Sequence, residues 1–310
     1  MTDTRFKRIE KKKTQELISY DHSVWKDIKK ELFSNKIALV SIVILLIIII
    51  ASILAPLSPY DPNKINVAEK LQGISAKHIF GTDEYGRDYF TRALYGGRIS
   101  LTVGFCSMIM TVILGTAIGI TSGYFGGKVD MFLMRFTEIF GAIPFLPFAM
   151  ILSALMAQMD ISENEKIFIL MVILGLLSWT GLARLVRGQI LLAREQEYVT
   201  AAKAMGLRES RIAFRHILPN IVSVIFVTLT LDFATCMLTE STLSYLGFGV
   251  TYPRPTWGNM LNGANNSTVI KNFWWRWLFP AIFLAITCIC INIVGDTLRD
   301  VMDPKSDRDK

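Results

Sequence analysis

The sequence has 310 residues, of which 52% are hydrophobic and 19% are charged, and its formal net charge is +7. Such a composition excludes an ordinary soluble domain, whose apolar share stays below about half even when glycine is counted. The apolar residues are also gathered into long blocks, which predicts an all-α integral membrane protein.

Six of these blocks have the roughly 20 residues that a helix needs to cross about 30 Å of hydrocarbon. The first block carries no charge from Ile37 to Ala55. We interpret it as a retained span and not as a signal peptide, because its apolar run and the basic region before it are both too long for a cleaved leader. The predicted spans are residues 37–56, 99–121, 131–157, 167–187, 218–240 and 278–296.

Lysine and arginine residues are unequally distributed between the two sides that six spans define. Ten of them precede the first span, seven lie in or beside the 188–217 loop, and only Arg254, Lys271 and Arg276 lie in the 241–277 loop. Because cytoplasmic loops carry the excess of basic residues, both termini and the 188–217 loop are predicted to be cytoplasmic. We therefore interpret the positive charge mainly as a topology signal and not as a sign of nucleic-acid binding.

This orientation gives a predicted layout for the whole chain. The parts are a cytoplasmic N-terminal tail at 1–36, a first transmembrane helix at 37–56, an extracytoplasmic segment at 57–98, a five-helix transmembrane core at 99–296 and a cytoplasmic C-terminal tail at 297–310. Within the core, the 188–217 loop is predicted to face the cytoplasm and the 241–277 loop to face outward.

The sequence has no pattern typical of catalysis or metal binding. The four cysteines all lie in predicted spans, without the spacing of a disulfide framework or a metal site. The stretch closest to a phosphate-binding loop, Gly123–Val129, lacks the first glycine and the final Ser or Thr of the Walker A pattern. We therefore expect a non-catalytic chain without a metal or cofactor of its own, so that any ATP and Mg²⁺ would be bound by another subunit.

Glycine recurs at every fourth position of the second predicted span, at Gly115, Gly119 and Gly123. Such ladders of small residues allow helix backbones to approach closely in lipid, where no hydrophobic force draws helices together. The pattern predicts a close helix contact, either static or moving.

The third predicted span combines two opposite charges with two prolines. Arg135 and Glu138 are three residues apart and can pair on one helix face. Pro144 and Pro147 are expected to kink the helix, because proline removes a backbone hydrogen bond and clashes with the preceding turn. We interpret the charge pair as structural, and a role in gating is the alternative.

The polar stretch between the fourth and fifth predicted spans has a helix–glycine–helix pattern. Residues from Glu195 to Met205 favour a helix, and Gly206 suits the left-handed position that often ends one. A second helix is predicted from Glu209 to Pro219, where the fifth span begins. The stretch is either an ordinary basic loop, a docking element for a cytoplasmic partner or a DNA-binding helix-turn-helix. The last is disfavoured because both ends are tied to the membrane and would hardly reach a major groove.

A polar stripe follows one face of the fifth predicted span. Its members recur at i, i+4, i+7 and i+11, and they are Thr228, Asp232, Thr235 and Thr239. An aspartate costs roughly 2.5–3.5 kcal/mol deep in a membrane, so it should face water or a partner. Counted from Pro219 at about 1.5 Å per residue, Asp232 lies roughly 20 Å into the membrane. We interpret the stripe as a candidate lining of a translocation path; the alternative is a carboxylate paired within the bundle, with threonines bonded to their own backbone.

Trp274, Trp275 and Trp277 precede the sixth predicted span. Tryptophan is enriched where spans meet the membrane–water interface, which predicts an aromatic belt at this position, and a ligand-stacking role is the alternative.

The stretch around Gly206 resembles the EAA loop of ABC-importer permeases, whose pattern is E-A-A, three residues, G, nine residues and I-x-L-P. The positions that match in register are Ala201, Ala202, Gly206, Leu218 and Pro219. Thr200 stands in place of the glutamate and His216 in place of the isoleucine, while Glu197 supplies a nearby carboxylate. The resemblance implies that short helices in this loop seat in a groove of an ATPase subunit, which the two small alanines would allow to come close.

Four further stretches resemble the C-type subunit of dipeptide, oligopeptide and nickel permeases. They are Phe80–Leu101, Ser122–Arg135, Leu243–Leu261 and Gly295–Pro304. The resemblance implies a six-span type I ABC importer permease of a bacterial inner membrane. It also implies a homologous second permease subunit, two ATPase subunits and an extracytoplasmic substrate-binding protein. ATP binding would close the ATPase pair, and the 195–217 helices would transmit that movement to a path that opens alternately to each side.

The substrate and the class of transporter leave alternatives open. Peptide import is the favoured function, and import of a nickel chelate or another small solute is the alternative within the same family. A secondary transporter would need its own coupling-ion site and inverted repeats with broken helices. The sequence has one acid near the midplane, Asp232, and no such repeat.

Overall fold

The structure, a computed structural model, describes Leu32 and residues 34–302. Most of both predicted tails, including every N-terminal basic residue except Lys36, lies outside those residues. The described part is helical, and its one β-type pairing is an isolated bridge between Thr82 and Asp88. The helices are α1 (Lys36–Ile53), α2 (Tyr89–Phe125), α3 (Gly127–Ala142), α4 (Phe145–Ala157), α5 (Glu163–Arg194), α6 (Glu197–Ala204), α7 (Glu209–Ile212), α8 (Leu218–Tyr245), α9 (Trp257–Leu261), α10 (Ser267–Asn272) and α11 (Trp275–Met302).

Five helical stretches are long and apolar enough to cross a membrane: α1, α2, α5, α11 and a continuous stretch that joins α7 to α8. Several extend beyond the predicted spans because the polar residues at their ends are capped or paired inside the protein. Helix α2, for example, begins at Tyr89 and not at residue 99. Asp88 accepts a hydrogen bond from the Thr91 N–H at 2.8 Å, and the buried Arg92 donates to the Pro62 carbonyl at 2.7 Å.

The predicted third span is not one kinked helix but two helices, α3 and α4, bent by 77° relative to each other. The break falls at Ile143, whose backbone is extended at φ −70° and ψ 125°. Proline disfavours the helical conformation of the residue before it, so Pro144 accounts for the break. Pro147 lies in the first turn of α4, where a missing N–H costs nothing to the helix.

The direction of α2 and α5 shows that this bent pair makes one crossing. The two helices run parallel, since Ser107 contacts Met171, Gly115 faces Leu182 and Gly123 faces Ile190, so that positions advance together along both. Two parallel spans need a return between them, and α3 with α4 is the connecting segment. The described chain therefore crosses six times, which confirms the predicted six-span, all-helical membrane architecture.

Both described ends of the chain lie on one side of the bundle. The Asn35 side chain before α1 is 3.5 Å from the Thr297 hydroxyl near the end of α11. Ser58, which follows α1, is 2.6 Å from Thr91 at the start of α2, so α1 begins on the side where α2 ends. Arg194 at the end of α5 donates to the carbonyl of Tyr124 on that same side, which we call the coupling side because α6 follows there.

The opposite side, the cap side, is covered by the segment between α1 and α2. Asp83 accepts hydrogen bonds from the backbone N–H groups of Tyr85 and Arg87 at 2.9 and 3.0 Å and pairs with the Arg87 guanidinium at 2.7 Å. The Tyr252 ring lies over the Arg87 and Arg92 guanidinium groups. Burial raises the pKa of Tyr252, which keeps its hydroxyl neutral. Asp83 and Arg87 are therefore paired within the cap, whereas the buried Nη2 atom of Arg92 has no hydrogen-bond partner in the described chain.

The predicted aromatic belt is wrong for Trp275, which is 8% exposed. Its indole N–H points to the carbonyl of Thr82 at 3.3 Å, and its ring lies against Gly81 of the cap. The next residue, Arg276, forms an ion pair with Glu84. The start of α11 is therefore a packing contact with the cap, although Trp274 keeps an exposed ring.

Candidate coupling segment and membrane cavity

Gly206 ends the first of two short helices on the coupling side. Its φ is +72°, a conformation that residues with a side chain rarely adopt. Its N–H donates to the Lys203 carbonyl at 2.9 Å, and the following Leu207 N–H approaches the Ala202 carbonyl at 3.3 Å. Nothing in the described chain lies within 4 Å of the position that a Cβ would take. A side chain here would therefore strain the backbone without striking the permease itself.

Helix α6 has one face packed against the bundle and one face open. Val199 and Ala202 are buried in a cluster with Ile190 of α5 and Ile217. Ala202 thus lets α6 lie close to its own protein, and of the two alanines in the EAA match only Ala201 faces outward. The exposed side chains of α6 and its end are Glu197, Tyr198, Thr200, Ala201, Lys203, Ala204 and Met205. Tyr198, Ala201 and Met205 form an apolar stripe within that open face, at helical spacing.

The predicted end of the second short helix at Pro219 is wrong, because the helix runs unbroken from Glu209 to Tyr245. Over Ala213–Ile217 it widens into a π-helical turn, in which the Leu218 N–H bonds to the Ala213 carbonyl. Such single-turn bulges are found inside α-helices, and the wider turn accommodates the proline ring that would otherwise clash with the preceding turn. Leu218 is half-buried and Pro219 is exposed. The coupling side and the membrane interior are therefore joined by one continuous element.

The three glycines of the ladder lie against α5. A Cβ at Gly115 would be 2.9 Å from the Leu182 Cβ, and one at Gly119 would be 2.7 Å from the Ala183 carbonyl oxygen. A Cβ at Gly123 would be 2.9 Å from the Arg187 carbonyl oxygen. These distances are shorter than van der Waals contact, so the backbones of α2 and α5 meet without room for a side chain between them.

Asp130 and Arg187 form a two-pronged ion pair that the sequence did not reveal. The Arg187 Nε and Nη2 atoms donate to the two carboxylate oxygens at 2.5 and 2.6 Å, and Ser122 also hydrogen-bonds to the carboxylate. The pair ties the start of α3 to α5. The predicted pair of Arg135 and Glu138 also forms, at 2.8 Å, but both side chains are exposed on α3.

A cavity of about 260 Å³ lies halfway through the bundle, between α4, α5 and α8. Its lining residues are Phe145, Ser178, Asp232, Thr235, Cys236 and Thr239. Three members of the predicted stripe therefore face this cavity, and Thr228 does not. Ser178 is near the middle of α5, roughly 23 Å from either end at about 1.5 Å per residue. Within the described residues, the Asp232 carboxylate has no hydrogen bond or ion pair.

The threonines of the stripe donate their hydroxyl protons to their own helix. Thr228 bonds to the Val224 carbonyl at 2.9 Å, Thr235 to Leu231 at 3.0 Å and Thr239 to Thr235 at 2.7 Å. This part of the structure matches the alternative that the sequence left open. Asp232 differs, because no described group pairs with it.

A second cavity, of about 420 Å³, opens near the cap side between the end of α4, the start of α5 and the loop after α8. Glu163 and Lys166 of its lining pair with each other at 2.9 Å, and Thr251 hydrogen-bonds to Glu163 at 3.2 Å. The buried hydroxyl of Ser153 has no hydrogen-bond partner in the described chain. Both cavities border α4 and α5, one beside the loop after α8 near the cap side and one beside α8 itself at mid-depth.

Glu240 is a buried acid on α8 that the sequence analysis did not identify. Its carboxylate accepts hydrogen bonds from Ser100 at 3.0 Å and Ser244 at 2.7 Å, and Ser241 approaches it at 3.3 Å. Glu240 does not fall at the helical spacing of the polar stripe that includes Thr239, because it faces α2 and not the cavity. This network joins α2 to α8 on the cap side of the mid-depth cavity.

Among the residues that the structure describes, no group of three or more His, Cys, Asp or Glu side chains is placed to hold a metal ion. The four cysteines are free thiols.

Comparison with protein families shows where the chain has relatives. Residues 115–308 match the family described as binding-protein-dependent transport system inner membrane component. Residues 23–73 match the N-terminal TM domain of oligopeptide transport permease C.

Individual relatives align over almost the whole chain. The oligopeptide transport system permease protein OppC of Haemophilus influenzae is 39% identical over 98% of this chain and 99% of its own length. OppC of Bacillus subtilis is 38% identical over 91% of this chain and 90% of its own length. The dipeptide transport system permease protein DppC of Bacillus subtilis is 37% identical over 93% of this chain and 87% of its own length.

Proposed function

This chain belongs to the inner-membrane components of binding-protein-dependent transport systems, and we propose that it forms part of the pore of an ATP-driven peptide importer. The observation that carries the peptide assignment is the alignment with oligopeptide and dipeptide permeases over nearly the full length of both chains. The architecture that such a subunit needs is supplied by the six crossings and by helix α6 on the coupling side, which is followed by the continuous helix Glu209–Tyr245.

The proposed assembly contains a homologous second permease subunit, two ATPase subunits and an extracytoplasmic binding protein. The coupling side faces the cytoplasm in this proposal, with both termini, and the cap side faces outward. The open face of α6, with Tyr198, Ala201 and Met205, is the proposed contact with an ATPase subunit. Such a surface suits a protein partner, because it combines apolar side chains with surrounding polar ones on a helix that is firmly seated on its other face.

The chain itself performs no chemistry in this mechanism. ATP and Mg²⁺ are bound by the ATPase subunits, whose closure would move α6. That movement reaches the membrane interior through the continuous helix Glu209–Tyr245 and through the packing of α6 on α5. Because Asp232, Thr235 and Thr239 lie on that helix, its displacement would open or narrow the mid-depth cavity.

The test is reconstitution of the full complex in proteoliposomes with the binding protein outside and ATP inside. Accumulation of a labelled di- or oligopeptide that requires both ATP and the binding protein is the expected result. Accumulation of a nickel chelate in its place would assign the other substrate class of the family. Uptake driven by an ion gradient in the absence of ATP would contradict the proposal and favour a secondary transporter.

A further inference from the structure

The Asp232 carboxylate is a charge at mid-depth of the bundle without a described partner. Charged groups at such a depth are costly and normally face a bundle interior or a water-filled cavity, paired with another group. Asp232 meets the first condition, since it lines the mid-depth cavity. The second condition is unmet, which leaves a position for a ligand that carries positive charge.

The other polar groups of the cavity narrow the chemistry of that ligand. Ser178 donates its hydroxyl proton to the Leu174 carbonyl at 2.8 Å, and Thr235 and Thr239 donate theirs to carbonyls one turn back. With those protons used, the three hydroxyl oxygens can only accept hydrogen bonds. Apart from the Cys236 thiol, a weak donor that lies beside Ser178, the described lining offers acceptors and one negative charge, and it contains no lysine, arginine or histidine.

A primary ammonium group matches this lining. It has three N–H donors and one positive charge, which suit a carboxylate together with neighbouring hydroxyl oxygens. The ring of Phe145 forms part of the same wall, and aromatic faces attract cations. A carboxylate group would meet Asp232 as a like charge and would find no free donor among the lining hydroxyls.

We propose that Asp232 receives the ammonium group of a peptide as it passes through the cavity, a role that rests on the proposed peptide import. Every unmodified peptide carries such a group at its amino terminus, and a lysine side chain carries the same chemistry. The site would hold the leading or trailing ammonium of the peptide at mid-depth while the two halves of the path open alternately.

The first experiment measures the charge preference of the cavity directly. In the assembled complex, with the four native cysteines replaced, Thr235→Cys is reacted with a cationic and an anionic methanethiosulfonate of similar size. The cationic reagent is expected to react faster by about tenfold, since a carboxylate in a confined site raises the local concentration of cations. Adding Asp232→Asn should remove that preference. Thr251→Cys in the cap-side cavity is the matched control, whose preference Asp232→Asn should not change.

The outcomes separate this inference from the function on which it rests. Equal rates for both reagents, unaffected by Asp232→Asn, would mean that another subunit neutralises Asp232 and would overturn the ammonium site while leaving a water-filled path. Failure of Thr235→Cys to react with either reagent would overturn the path as well. Neither result would affect the reconstituted peptide uptake, which tests the importer itself.

The second experiment identifies the source of the ammonium. During ATP-driven transport, three peptides of one length are compared for their ability to slow the cationic reagent at Thr235→Cys. A peptide with a free amino terminus should protect, and its N-acetylated form without lysine should not. An N-acetylated peptide with lysine protects only if a side-chain ammonium serves equally. Protection by all three, or by none, would contradict the proposal.

Discussion

Glycine determines how closely α2 and α5 approach. At Gly119, the atoms that a Cβ would meet include the backbone carbonyl of Ala183, which cannot rotate away as a side chain can. Because α2 and α5 run parallel, the chain must cross once between them. The contact between these two helices is therefore evidence for the topology as well as a packing contact.

Gly119→Val is therefore expected to destabilise the protein by about 1–3 kcal/mol, the usual cost of forcing a larger side chain into a packed contact. The matched control is Gly181→Val, which makes the same change at a helical position where no described atom lies within 4 Å of the added Cβ. The measurement is the thermal unfolding midpoint of the purified complex. Equal midpoints for the two variants would show that the ladder is not a close contact.

The sequence predicts the features that depend on neighbouring positions, but it does not predict the pairs that form between distant positions. The positive φ of Gly206 and the pairing of Arg135 with Glu138 follow from neighbours within four positions, so the sequence predicts them. The ion pair of Asp130 and Arg187 joins positions 57 apart, and the bond of Ser100 to Glu240 joins positions 140 apart. Single-sequence patterns carry no information on such pairs, because only the fold brings them together.

Among the helices, α6 and the continuous stretch Glu209–Tyr245 connect the coupling side with the membrane interior. Helix α6 has eight residues, too few for a stable isolated helix, so its position depends on the burial of Val199 and Ala202. Ala201 and Ala202 of this helix thus have different roles, which substitutions can separate.

Ala202→Leu should push α6 away from α5 and lower stability by about 1–3 kcal/mol, because the buried site has no room for three more carbons. Ala201→Leu should leave the stability of the permease unchanged and weaken retention of the ATPase subunits. Thermal unfolding and co-purification of the ATPases measure the two effects. If Ala201→Leu lowered stability as much as Ala202→Leu, or left ATPase retention intact, the assignment of faces would be wrong.

The apolar blocks predict where helices cross but not how each crossing is made. Composition places the third span correctly, yet the 77° bend at Ile143 depends on a proline whose effect in a membrane varies with its neighbours. The sequence does not indicate the extension of α2 to Tyr89, because Arg92 resembles a surface residue and only the fold shows that the cap buries it. Pro219 predicts a helix end for a different reason, since only the π-helical turn, which the sequence does not indicate, makes it compatible with a continuous helix.

For the whole molecule, the six crossings place the described ends on the coupling side together with α6. We propose that this side is cytoplasmic, because the basic residues of the sequence are concentrated there. The 262–265 turn lies on the opposite side and should be accessible from outside the cell.

In a background without the four native cysteines, Asn265→Cys should therefore react with a membrane-impermeant thiol reagent in intact cells. Asn265 is exposed, so a reactive side chain at this position is reachable. Lys203→Cys on the exposed face of α6 is the matched control, and it should react only after the cells are lysed and the ATPase subunits are stripped from the membranes. The reverse pattern would invert the proposed orientation.

The central claim is that the coupling segment transmits ATPase movement to the membrane path, and Gly206→Asp tests it most directly. A side chain at a φ of +72° costs on the order of 1 kcal/mol or more, and a charged one would also enter the proposed ATPase contact. The control is Gly188→Asp in α5, which adds the same side chain to helical backbone where no described atom lies within 4 Å of the added Cβ. The measurement combines co-purification of the ATPase subunits with ATP-driven peptide uptake by the reconstituted complex. Gly206→Asp is predicted to insert normally but to lose its ATPases or to hydrolyse ATP without uptake, while Gly188→Asp keeps both. Normal uptake with a full complement of bound ATPase in Gly206→Asp would contradict the account and leave the segment as a basic tether.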